Sequence, residues 1–162
     1  MLAKYPHAQV LFAGQYQNVM GEQAYFERLQ PQIQKYEASR HWKFLGNLDL
    51  EKMAAYYPNL DVLVVPSLNS TEAFGLVQIE AMLNGVPCIA SALPGVRRPV
   101  QMHNMGEIVP IGDAPALAEA LLKVLANRAK YQCDTAELAR IYDPDSVAAE
   151  YENLFAKLMG KK

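Results

Sequence analysis

Short apolar runs alternate with longer amphipathic segments along most of the chain, the pattern of a parallel β-sheet with helices on its faces. The expected fold class is therefore α/β. Residues 9–14 (QVLFAG) read as a buried strand ending at a glycine, and residues 20–39 as a polar helix interrupted near its middle by Pro31. Residues 42–46 (WKFLG) form a second strand signal, and Asp49 is placed to cap a short helix through Tyr57. Residues 61–67 (DVLVVPS) carry the strongest strand signal. A helix is expected over residues 74–84, with Leu76, Ile79, Ala81, Met82 and Leu83 on its buried side and Gly85 closing it. Strands follow at residues 87–91 and 106–110. Asp113 with Pro115 then opens a helix bearing Leu117, Leu121, Val124 and Leu125 on one stripe. A last helix opens near Asp143-Pro144 or Ser146 and carries Val147, Tyr151, Leu154, Phe155 and Leu158, before a frayed tail at residues 160–162.

A length of 162 residues, 51% of them hydrophobic, suits one domain with a full core. Fifteen basic against 17 acidic side chains leave a net charge of -2, which gives no general pull toward nucleic acid or an anionic membrane. Any anion must be held locally. Cys88 and Cys133 stand far apart with no CxxC pair and no His at ligand spacing, so neither a disulfide framework nor a metal site is expected and a reducing cytoplasm fits. The first ten residues interleave Lys4, Pro6 and His7, unlike the apolar core of a signal peptide. The longest apolar runs fall short of the about 20 residues needed to cross a bilayer.

In an open parallel sheet, ligands bind outside the carboxyl ends of the strands. That nominates the loops after Gly14, Gly46, Ser67 and Ser91, and the turn around Gly112. The loop after Ser67 is the richest, because residues 66–76 (PSLNSTEAFGL) run from a buried strand directly into a helix start. A helix start exposes unpaired N–H groups and partial positive charge, so it can hold a phosphate without a Lys or Arg. Glu72 lies just ahead of that start and Glu80 nearly two turns inside the helix. Carboxylates at such different heights above a phosphate suit a nucleoside diphosphate sugar, with hexose hydroxyls on one side and ribose hydroxyls on the other. The competing reading is that Glu72 merely favours the helix dipole and that Glu80 is a solvated helical carboxylate. Arg97 and Arg98, after Pro94-Gly95, are either phosphate ligands or surface. His7, His41 and His103 lack partners at catalytic spacing, and Phe12, Trp42, Phe44 and Phe74 read as core or pocket wall.

The run Glu72 to Met82 (EAFGLVQIEAM) resembles the E-x7-E motif of the retaining glycosyltransferases of family four. Residues 44–46 (FLG), 61–67 (DVLVVPS), 84–91 (NGVPCIAS), 93–97 (LPGVR), 105–110 (MGEIVP) and 112–113 (GD) follow in that family's order, so the resemblance covers roughly residues 9–126. It implies the Rossmann-like C-terminal domain of the GT-B architecture. The implied donor is a nucleotide sugar, with Glu72 as the catalytic-site contact to the transferred sugar and Glu80 holding the ribose. Ala73 lies on the donor loop. The amides of Phe74, Gly75 and Leu76 would cradle the diphosphate, and Gly46 and Asn47, with Gly14 nearby, would border the base. No cofactor or metal is implied.

Family members ordinarily carry an Arg and a Lys that neutralise the diphosphate upstream of the first strand of this domain, where only Lys4 precedes Gln9. The expectation is therefore a donor-binding half that lacks its N-terminal, acceptor-binding partner domain and is inactive alone. Any membrane association would come through that domain. The final helix is similar to the segment that crosses back toward it. The loop at 93–97 with residues 105–110 is similar to members that act on lipid-linked or cell-envelope acceptors. A nucleotide-sugar epimerase of the same architecture and a non-catalytic nucleotide-binding α/β module are the alternatives. The paired Glu and the Pro-Gly-Val-Arg loop favour the transferase.

Overall fold

A computed structural model describes residues 1–160, so the last two residues of the expected tail lie outside the described residues. The chain gathers into two compact units, Met1–Tyr56 and the remainder from Tyr57, which are described in turn.

In the first unit, β1 (Val10–Ala13) pairs in parallel with β2 (Trp42–Gly46), and α1 (Gln23–Ala38) makes the crossover that parallel pairing requires. Phe44 is the hub of its aromatic packing, with ring centroids 3.9 Å from Tyr16, 5.4 Å from Phe12 and 5.6 Å from Trp42. Contrary to the expected break, α1 runs through Pro31. None of its residues is buried, so water can take the carbonyl that the missing proline N–H leaves open. The helix also begins three residues later than expected. Asp49 caps α2 (Leu50–Tyr56) as expected, its Oδ1 accepting from Lys52 N at 2.9 Å.

From Tyr57 the chain makes a 3-10 turn (Tyr57–Asn59) and then a three-stranded parallel sheet in the order β3 (Leu63–Val65), β4 (Cys88–Ser91), β5 (Gly106–Val109). The crossovers are α3 (Leu76–Leu83) and α4 (Arg98–His103), followed by α5 (Ala114–Ala126), α6 (Thr135–Ile141) and α7 (Pro144–Leu158). The short helix α4 and the separate α6 had no counterpart in the periodicity, since both are too brief to show a stripe. Strand β4 reads as an uninterrupted apolar run because both its faces are covered. Cys88 Sγ lies toward the Gln78 carbonyl of α3, while Ile89 packs with Ala120 and Val124 of α5, Val109 and Tyr131. Burial accordingly pushes the Cys88 thiol far above its ordinary pKa.

Aspartates open the later helices, Asp113 and Asp143 as the sequence indicates and Asp134 at a helix that the sequence pattern does not indicate. Asp113 accepts from Ala116 N at 2.9 Å, Asp134 from Ala136 N at 2.9 Å, and Asp143 from Ser146 N at 2.9 Å. The stripe on α7 is different from an ordinary core face, because Tyr151, Leu154, Phe155 and Leu158 are all exposed. Among the described residues no helix is long and apolar enough to cross a membrane.

Glu107 of β5 fastens α5 and the turn that follows it to the sheet. Its Oε1 accepts from Lys123 Nζ of α5 at 2.7 Å and from Tyr131 OH at 2.5 Å. Burial alone would raise its pKa, but these bonds and the charges of Lys123 and Lys130 outweigh burial and hold it below the ordinary 4.5. A carboxyl with a depressed folded pKa adds stability that is present above its unfolded value and lost as pH falls through the folded one. Urea unfolding across that acid range should therefore show a steeper loss of stability for the parent than for Glu107→Gln. Parallel curves would mean that the ion pair contributes nothing measurable.

Candidate functional site

The chain leaves β3 at Val65 and reaches α3 through a loop shaped by its own side chains. Asn69 Oδ1 accepts from Thr71 N at 3.1 Å and from Thr71 Oγ1 at 2.5 Å, closing a turn of the kind Asn favours. Glu72 Oε1 then accepts from Gly75 N at 3.0 Å. Gly75 stands at the helix N-cap with φ 77°, a left-handed conformation that glycine adopts without strain. The helix thus starts at Leu76, two residues after the expected Phe74. Leu76, expected on the buried side, is 66% exposed, because the turn at Gly75 rotates the first helical position outward. Of the three amides expected to face an anion, that of Gly75 is engaged by Glu72 in this structure.

The loop after β4 packs directly on this turn. A Cβ at Gly95 would lie 1.6 Å from the Ala73 carbonyl oxygen, so the two backbones meet where no side chain fits. Gln78 of α3 is fully buried, and its Nε2 donates to the Val96 carbonyl at 2.8 Å and to the Phe74 carbonyl at 3.3 Å. Arg97, at the N-cap of α4, has a buried Nε with no hydrogen-bond partner among the described residues, whereas Arg98 is exposed.

Glu80 lies inside α3, where the sequence places it, and is exposed. Its Oε2 accepts a hydrogen bond from the hydroxyl of Tyr57, a residue that is 5% exposed. The buried tyrosine fixes the direction of an otherwise flexible side chain.

Three further candidates lie in the first unit. Gly14 N donates to the Gly46 carbonyl at 2.9 Å, so the structure brings these two glycines together at the carboxyl ends of β1 and β2, with Asn47 exposed beside them. Tyr57, Gln78 and Gly95 were not singled out as site residues by the sequence. Gln78 alone left a signal, being an uncharged amide set between apolar residues Val77 and Ile79 of the helix. Among the described residues no cluster of three or more His, Cys, Asp or Glu could hold a metal ion.

The family described as glycosyl transferases group 1 matches residues 1–140. A phosphatidyl-myo-inositol mannosyltransferase of Mycobacterium leprae is 38% identical over 118 residues, covering 71% of this chain and 31% of its own. Its counterpart in Mycolicibacterium smegmatis is 29% identical over 163 aligned positions, covering 99% of this chain and 39% of its own. The chain therefore spans between about a third and two fifths of these curated relatives. Among solved structures, sucrose-phosphate synthase from Thermosynechococcus elongatus superposes with a TM-score of 0.78 at 32% identity, over 99% of this chain and 41% of that one. Anabaena HepE in complex with UDP-glucose superposes with a TM-score of 0.78 at 22% identity, over 94% of this chain and 42% of that one.

The contact at Gly95 is the most demanding in the site. Gly95→Ala should cost more than about 2 kcal/mol of stability, as forced overpacking does, read as a lower urea midpoint. A change within about 0.5 kcal/mol would show that the loop yields freely.

Proposed function

We propose, since the chain belongs to the glycosyl transferases group 1 family, that it is the donor-binding part of a glycosyltransferase and holds a nucleoside diphosphate sugar at the start of α3. The observation that carries this reading is the pairing of a left-handed Gly75 turn at a helix start with a Tyr57-oriented Glu80 on the same helix. The first turn of α3 presents N–H groups that no intrahelical carbonyl can accept from, and these favour an anion. Glu80, held by Tyr57, accepts from the two ribose hydroxyls. Glu72 accepts from hydroxyls of the sugar. The description of HepE as a complex with UDP-glucose supports a donor of this class.

Sugar transfer then proceeds with retention of anomeric configuration. The bond from the anomeric carbon to the diphosphate oxygen breaks and one to an acceptor oxygen forms. Charge developing on the departing diphosphate is stabilised by the amides of the helix start, a preorganised arrangement that needs no protein nucleophile. Neither metal nor cofactor takes part on these residues. In the whole protein the acceptor is held by a second domain, and the exposed apolar stripe of α7 suits contact with that domain. The chain alone does not transfer sugar.

Calorimetric titration with UDP, GDP and ADP tests the division of labour. Glu80→Ala should weaken binding roughly ten- to a hundredfold, since hydrogen bonds to a charged group contribute about 1.5–3 kcal/mol. Tyr57→Phe should weaken it about three- to tenfold by freeing Glu80. Glu72→Gln keeps an acceptor for Gly75 N, so it should leave plain nucleoside diphosphate binding unchanged and reduce only the added affinity of the sugar-bearing donor. Equal losses for Glu80→Ala and Glu72→Gln, or no loss in either, would remove the basis for separate ribose and sugar roles.

A further inference from the structure

We infer that Gln78 is a positioning residue that sets the donor-binding turn by clasping it to the loop after β4, an inference that rests on the donor-binding reading above. Its Nε2 donates to Val96 O on one loop at 2.8 Å and to Phe74 O on the other at 3.3 Å. The orientation of the amide follows from chemistry. Turned over, its oxygen would face two carbonyl oxygens, so the NH2 end must be the one that points at them.

Packing alone does not account for the residue. Gln78 is 0% exposed, and its Oε1 is buried with no hydrogen-bond partner among the described residues. A Met of similar size would fill the space without leaving that oxygen unpaired. What the amide adds is the bridge. It also closes over Gly75: a Cβ there would lie 2.6 Å from Gln78 Nε2, so the side chain occupies the volume beside the turn that only glycine leaves open. With the backbone contact between Gly95 and Ala73, the amide makes a second point of attachment between the loops that follow neighbouring strands. Two attachments fix orientation as well as distance. The Phe74 carbonyl and the peptide plane that carries the Gly75 N–H belong to one peptide group, so holding the carbonyl aims the amide.

Because Gln78 is fully buried and acts through the two carbonyls it bridges, its removal should change affinity for a diphosphate while the fold persists. The test is a titration of the whole chain with UDP, GDP and ADP, followed by amide NMR. Gln78→Met should raise the dissociation constant for the nucleotide that the parent binds by about tenfold, with chemical-shift dispersion retained. Gln78→Glu supplies a second readout. Its carboxyl is buried against two carbonyls and donates a hydrogen bond only when protonated. Its affinity relative to the parent should therefore recover as pH is lowered from about 7.5 toward about 5.5, whereas that of Gln78→Met should not. A structural filler would show no such recovery. If the parent binds a nucleotide and Gln78→Met binds it within about twofold, or if Gln78→Glu shows no recovery, the clasp is wrong and the donor site stands. If the parent binds none of the three, the donor-binding reading fails and the clasp fails with it.

Discussion

The burial of β4 on both faces is the constraint on which the second unit depends. Cys88, Ile89 and Ala90 have no exposed surface and Ser91 almost none, so this strand can shift only by disturbing α3 on one side and α5 on the other. A strand so placed is a fixed reference for whatever follows it. The loop at residues 92–97 leaves its end with little freedom, and the turn at residues 71–75 is built against that loop. The site thus inherits its rigidity from hydrophobic packing several residues away, which is how a loop can hold small polar groups in defined positions.

Electrostatics add a second layer. The Gly75 N–H at the start of α3 is bonded to Glu72. An internal carboxylate at a helix start is favoured by the same partial charges that favour a phosphate. Glu72 therefore keeps the amide from being orphaned. Its carboxylate is exposed and close to the backbone it serves, so it can exchange one partner for another with little movement.

Much of this was legible in the sequence because it rests on local rules. The apolar runs at residues 61–67 and 87–91 and the aspartate caps at 49, 113 and 143 each declare themselves within a few residues. The Glu72 to Glu80 spacing carries the resemblance to a family in one short stretch. What stayed hidden was set by contacts between distant residues. Tyr57 meets Glu80 across 23 positions and Gln78 meets Val96 across 18, and no periodicity reports such pairs. Gly95 looked like any turn glycine until the Ala73 carbonyl was seen against it. Pro31 misled for a physical reason, since a helix with no buried residue tolerates an open carbonyl that a buried one could not. Leu76 misled because the Gly75 turn, rather than the hydrophobic stripe, decides where the first helical residue points.

The meeting of Gly95 with Ala73 is asymmetric, and that asymmetry bears on how such a site can diversify. Position 73 contributes only backbone atoms to the contact, and its side chain is exposed, so other residues can stand there without altering the seat. Position 95 contributes its lack of a side chain and can accept almost nothing else. Variation is thus steered onto the loop that carries Glu72 and away from the loop that supports it. A library randomised at 73 explores new surface beside Glu72 on an unchanged scaffold, while one randomised at 95 mostly samples broken scaffolds.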